Sequence, residues 1–224
     1  MTSTAVPIRI FVDSAVRSEA EPWLRSGIVS GVTTNPTLLR RAGLGPDDIV
    51  EVARWARGEQ GREVCFQVWG DDVESQYASA MRLVDAVPEA VMKVPVTPWG
   101  TELVARLHQQ QVPVLMTAVY AAKQAVIASA LGVRYLAPYY NRMAVAGREA
   151  LAEIRAMTSA IPQDGSGPLV MAASVKSAAQ VMDLVDAGVR VFTLPPAVIA
   201  DLYEDPLTSQ AVQDFEQDMA AVLG

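Results

Sequence analysis

Histidine and cysteine are nearly absent from this sequence: its 224 residues hold one of each, His108 and Cys65. A lone cysteine cannot close a disulfide within the chain, and a metal cluster built from Cys and His ligands is excluded by count. Serine or cysteine catalysis with an imidazole base would have to use His108. That residue lies in the polar helical stretch RLHQQQ and reads as a surface residue. Cys65 sits inside VCFQVW and reads as a small buried hydrophobe. One unpaired thiol fits a reducing cytoplasm, which is the expected location. Basic charge is also scarce. The net charge of −7 argues against wholesale binding to nucleic acid or to an anionic membrane, while leaving room for a small local basic pocket. No G-x-G-x-x-G or Walker A pattern occurs, so the glycine-rich phosphate turn of open α/β sheets is missing. The leading MTSTAVP has no basic n-region and no apolar h-region, and no signal peptide is expected. Nor does a Pro/Gly/Ser-rich linker divide the chain; DGSG at 164–167 is a short turn, and residues 1–224 are expected to form one domain.

Apolar residues are plentiful. At 51% hydrophobic and 19% charged, the chain can build a large core. The most apolar window, 112–133, resembles a membrane span in composition, but Pro113, Lys123 and Gln124 break it into a buried strand, a turn and a helix. Short β-branched runs recur at 8–12, 30–34, 64–69, 90–96, 112–119, 133–139, 168–174 and 189–194. Between them lie amphipathic stretches such as DDVESQYASAMRLVDAV and TELVARLHQQQ, with apolar residues at helical spacing. Gly27, Gly132 and Gly188 precede strands, where a helix C-cap glycine belongs. Eight strand–helix units of this length predict an α/β fold, a (β/α)8 TIM barrel, with a doubly wound open sheet as the rival. A final helix is predicted over 206–222. Its stripe Val212, Phe215, Met219 and Val222 suits either packing on its own barrel or contact with a neighbouring subunit.

Barrel active sites lie at the C-terminal ends of the strands. Seven of the eight runs end in polar residues there: Asp13; Thr33, Thr34 and Asn35; Gln67; Lys93; Thr117; Tyr139, Asn141 and Arg142; Ser174 and Lys176. The N-terminal ends read as mostly apolar. Strand alternation puts Lys93 on the face of Val91, Gln67 on that of Cys65 and Asp13 on that of Phe11, so all three suit an inward face. A lysine kept dry near another cation is partly neutral, attacks carbonyls and forms a Schiff base. The plainer reading is a lysine whose head reaches water or pairs with a carboxylate. Arg142, Ser174 and Lys176 suit an anion pocket, or else ordinary solvated rim charges. Trp23, Trp55 and Trp69 read as packing residues, and Trp99 as a weak candidate to cover the rim.

The ordered motifs GVTTNPTLL, VMKVPVTPWG, MTAVYAAKQA, APYYNR, AASVK and TLPPAVI span nearly the whole chain and resemble those of the small transaldolase family, closest to its fructose-6-phosphate aldolase branch. The resemblance implies a class I aldolase barrel without metal or organic cofactor. It implies Lys93 as the Schiff-base lysine and Asp13 as the group that handles substrate hydroxyls and protons. Thr33 and Asn35 would line the dihydroxyacetone end, and Arg142, Ser174 and Lys176 would hold phosphate. Transaldolases of this family carry glutamate and phenylalanine where this chain has Gln67 and Tyr139, and Thr117 also matches the aldolase branch. Gln67, Thr117 and Tyr139 can hold one water that relays protons to the Schiff base. The implied reaction is cleavage or formation of the C3–C4 bond of fructose 6-phosphate, giving dihydroxyacetone and glyceraldehyde 3-phosphate. The alternatives are transfer of the dihydroxyacetone unit between sugar phosphates, and a non-catalytic sugar-phosphate-binding barrel. The partner expected by resemblance is a second copy of the chain, in pentamers or decamers. Ser14 stands where the family has threonine, and MAVAGREA after Arg142 departs from its acidic, glycine-rich pattern.

Overall fold

A computed structural model describes residues 7–162 and 164–224. The expectation of no leader at MTSTAVP falls, apart from Pro7, outside the described residues. Eight strands hydrogen-bond in chain order, all parallel, and close on themselves. They are β1 (Arg9–Asp13), β2 (Val29–Thr33), β3 (Glu63–Gln67), β4 (Val91–Pro95), β5 (Val114–Val119), β6 (Tyr135–Pro138), β7 (Leu169–Ala172) and β8 (Val191–Leu194). The ring closes through β8 against β1, Phe11 opposite Thr193. The predicted (β/α)8 barrel is therefore the fold, and the open sheet is not.

Local chemistry explains where the elements stop. The helix α1 (Arg17–Ser26) ends on left-handed Gly27, and α6 (Gln124–Leu131) on left-handed Gly132, a conformation that costs glycine little. Asn35 caps α2 (Pro36–Arg41), accepting the Leu38 amide at 3.1 Å. Asp72 and Ser75 form a capping box at the start of α4 (Val73–Ala86), and Thr97 caps α5 (Pro98–Gln109) through the Gly100 amide. The outward faces of the strands meet the helices in one large core. Phe66, Met92, Leu103, Leu107, Met116 and Phe192 are fully buried there, each contributing about 1.5–3 kcal/mol. Trp23, Trp55 and Trp69 pack on the edge of this core, as expected.

Inside the ring lies a second, smaller cluster: Phe11, Cys65, Val91, Leu115, Tyr135, Ala137, Met171 and Val191. The second strand contributes Gly31 at this level. A Cβ there would lie 1.9 Å from the Glu63 carbonyl oxygen and 3.0 Å from the Phe11 ring, so glycine lets β2 approach β3 while Phe11 fills the space.

Two expectations need correction. The N-terminal end of the barrel is not mostly apolar. Arg134 pairs with Glu63 at 2.6 Å, Arg9 lies 3.8 Å from the same carboxylate, and Arg9 donates to the Tyr135 hydroxyl at 2.7 Å. Burial first, and then Glu63, push the Tyr135 hydroxyl up to about 12. In the sequence these charges merely flank apolar runs; ring closure makes them converge into a plug. The second correction concerns α11 (Pro206–Leu223), which buries no residue on its own barrel. Its stripe is solvent-facing, with Phe215 68% and Val222 76% exposed, so the reading in which it packs on the parent barrel is wrong.

Candidate active site

The open end of the barrel, at the C-terminal ends of the strands, holds a cavity of about 640 Å³. Nine of the ten residues to which the resemblance gives roles line it: Asp13, Asn35, Gln67, Lys93, Thr117, Tyr139, Arg142, Ser174 and Lys176. The tenth, Thr33, lies beneath Asp13, wholly buried. Period-two alternation carries Asp13, Gln67, Lys93 and Thr117 inward from their strands. Val91 and Lys93, Cys65 and Gln67, Phe11 and Asp13, and Leu115 and Thr117 are stacked pairs whose lower member belongs to the interior cluster.

Lys93 is opposite Gln67 on β3 and Leu115 on β5. It is 5% exposed, and its Nζ donates to the Thr34 carbonyl at 2.7 Å. Among the described residues it joins no ion pair. The plainer reading, a lysine reaching water or paired with a carboxylate, therefore does not describe it. Burial, and then Glu63, raise the Cys65 thiol far above its ordinary value, so the residue one strand away stays uncharged and supplies no counter-ion.

Two hydroxyl networks stand on this floor. On one side Thr33 donates to Asp13 Oδ1 at 2.7 Å, and Thr33 in turn shares a hydrogen bond with Thr193 on β8. On the other, Thr117 and Tyr139 hydroxyls are 2.8 Å apart. The Tyr139 ring is held edge-on by Tyr120, at 5.5 Å, and covered by the Arg142 guanidinium, at 4.8 Å. The β5–β6 register slips between Met116 and Val119, and Ala118 takes φ 56° at that bulge; Ser174 takes φ 58°. Non-glycine residues in the left-handed region store strain, and both line the cavity. Asn35 spends its Oδ1 on the α2 cap, so its amide nitrogen is the group left to face the cavity.

Arg142 and Lys176 stand exposed on the rim at β6 and β7, next to Ser174. Arg41 lines the cavity from α2, across the ring. The lining carries four basic side chains, Arg41, Lys93, Arg142 and Lys176, against one carboxylate, Asp13, in a protein of net charge −7. That contrast concentrates anions at this end. Trp99 stays outside the cavity lining. Sequence reasoning missed Thr193 and Arg41. Thr193 had a usable signal, since it shares the inward face of Val191; nothing sets Arg41 apart from the other arginines.

Fold and site define a (β/α)8 barrel whose polar groups gather at the C-terminal rim, the arrangement of barrel enzymes. The sequence profile of the transaldolase/fructose-6-phosphate aldolase family matches residues 10–223, and the chain belongs to that family. It is thus an enzyme of the aldolase/transaldolase type. Among solved structures, a mandelate oxidase variant carrying a monooxide FMN adduct is similar, with a TM-score of 0.56 at 16% identity, over 88% of this chain and 71% of that one. At that identity the likeness shows the barrel alone.

Proposed function

We propose that the protein is a class I aldolase that forms its Schiff base on Lys93 and cleaves or makes the C3–C4 bond of a ketose phosphate such as fructose 6-phosphate. The observation that carries this is the dry, unpaired amine of Lys93 on the floor of a cationic cavity. Nζ attacks the C2 carbonyl, and the carbinolamine loses water to give an iminium. The Thr34 carbonyl that accepts from Nζ is placed to accept the iminium N–H as well. Asp13 takes the proton of the C4 hydroxyl. The C3–C4 bond breaks, its electrons pass into the iminium as an enamine, and an aldose phosphate such as glyceraldehyde 3-phosphate leaves. A water held by Gln67, Thr117 and Tyr139 protonates C3, and hydrolysis of the iminium releases dihydroxyacetone and restores Lys93. Arg142, Ser174 and Lys176 hold the phosphate, and the Asn35 amide meets the dihydroxyacetone end. No cofactor enters these steps.

Transaldolase transfer is the second reading. The hydroxyl pair Thr117–Tyr139 favours cleavage over it, because a proton source beside the enamine ends the cycle without an acceptor. The same proposal treats residues 1–224 as one cytoplasmic barrel domain and gives the exposed stripe of α11 to a second copy of the chain. The test is borohydride reduction with dihydroxyacetone. The chain has three lysines, and Lys123 and Lys176 are both exposed. The adduct is expected on Lys93, and Lys93→Met is expected to lose both adduct and turnover. Sugar-phosphate binding without any adduct would indicate the non-catalytic barrel and refute the proposal.

A further inference from the structure

Thr193 belongs to the one strand whose end offered no polar residue to sequence reading, yet it is the partner of the deepest hydroxyl in the site. It is 4% exposed, and Thr33 is fully buried. The two come from β8 and β2, on either side of β1, and meet inside the ring below Asp13. Alternate strands of such a barrel supply side chains to a common layer, which is how two residues 160 positions apart come into hydrogen-bond contact.

The direction of this network is fixed by valence. A carboxylate only accepts, so the single proton of Thr33 goes to Asp13 Oδ1. Thr33 therefore has only lone pairs to offer Thr193, and Thr193 must be the donor. The result is a one-way chain, Thr193 to Thr33 to Asp13. Without Thr193 the Thr33 hydroxyl would lose the bond that orients its lone pairs, and its grip on Oδ1 would weaken, because hydrogen bonds in a chain polarise one another. Oδ1 is held from below, which leaves Oδ2 for the substrate.

We propose that Thr193 is a positioning residue for the reaction, acting on Asp13 through the Thr33 hydroxyl. The inference rests on the aldolase reading, and the two fail separately. The experiment compares Thr193→Val, Thr193→Ala and Thr193→Ser with the parent, measuring kcat for cleavage without acceptor and the yield of the borohydride adduct with dihydroxyacetone. Valine and alanine remove the donor, one keeping the shape and the other relieving contact with Thr33; serine keeps the donor. Both donor-less variants should lose roughly tenfold in kcat while still forming the Lys93 adduct, and serine should recover most of the loss. The decisive measurement is a double-mutant cycle with Thr33→Val. If Thr193 acts only through Thr33, Thr193→Ala should change kcat little in that background. An equal loss in both backgrounds, or unchanged kcat in both donor-less variants, would overturn the assignment. Absence of the adduct in the parent protein would instead overturn the aldolase reading.

Discussion

Tyr139→Phe removes one oxygen from the site. The ring contacts do not depend on that oxygen: Tyr120 meets the ring edge-on and Arg142 lies over its face. The rim should therefore keep its shape. What is lost is the 2.8 Å contact with Thr117, whose residue is 1% exposed. Leaving a buried hydroxyl without its partner costs about 1–3 kcal/mol of stability, a fall of several degrees in Tm for a chain of this length. The catalytic loss should be larger and of a different kind. Positioned acid–base groups contribute about 10²–10⁴-fold, so the barrier to cleavage without acceptor should rise by about 3–5 kcal/mol. Schiff-base formation on Lys93, which stands on β4 and makes no contact through the Tyr139 hydroxyl, should survive. The enamine would then form but not be protonated, and transfer to an added aldose phosphate acceptor should persist. The assay is aldehyde release with and without acceptor, alongside the borohydride adduct. A phenylalanine variant that cleaves within about threefold of the parent would refute the proton relay. One that loses the adduct together with turnover would show that Tyr139 supports the fold of the site instead.

Other outcomes follow from the barrel itself. Gly31→Ala should lower the unfolding free energy by about 1–3 kcal/mol, read as a lower denaturation midpoint, because the added methyl meets the Glu63 carbonyl and the Phe11 ring; an unchanged midpoint would show that β2 can shift freely. Tyr135 is held at about 12, above the ordinary tyrosine value near 10, so the folded state keeps its proton longer than the unfolded state does. Its contribution is complete below pH 10 and is lost as pH rises through 12. Unfolding monitored by denaturant should show that loss in the parent and not in Tyr135→Phe; parallel curves would contradict the plug. Truncation after Asp205 removes a helix that buries nothing on its own barrel, so the fold should remain while the mass in solution drops. An unchanged mass by light scattering would show that α11 is not the link between copies.

Much of this protein was legible in its residues. All eight strands fall within or beside the β-branched runs, because strand and helix periodicity are local properties that any window of the chain displays. The pairs Val91/Lys93, Cys65/Gln67 and Phe11/Asp13 already said which residues share a face. They did not say which face is inward, since that depends on the neighbouring strands and on closure of the ring. The polar floor was visible as a trend in strand ends, and its one omission, Thr193, was hidden between Phe192 and Leu194 in a run that ends on an apolar residue.

What the chain determined by itself is the order of elements, the alternation within each strand and the supply of chemical groups. What only the tertiary structure decided is who meets whom. It turned Lys93 inward with no carboxylate beside it, brought Thr193 to Thr33 across β1, and gathered Arg9, Glu63 and Arg134 beneath the barrel. It also left the α11 stripe without a partner on its own barrel. The reason is that burial and hydrogen bonding between residues far apart in sequence are set by closure of the sheet, which no local window contains.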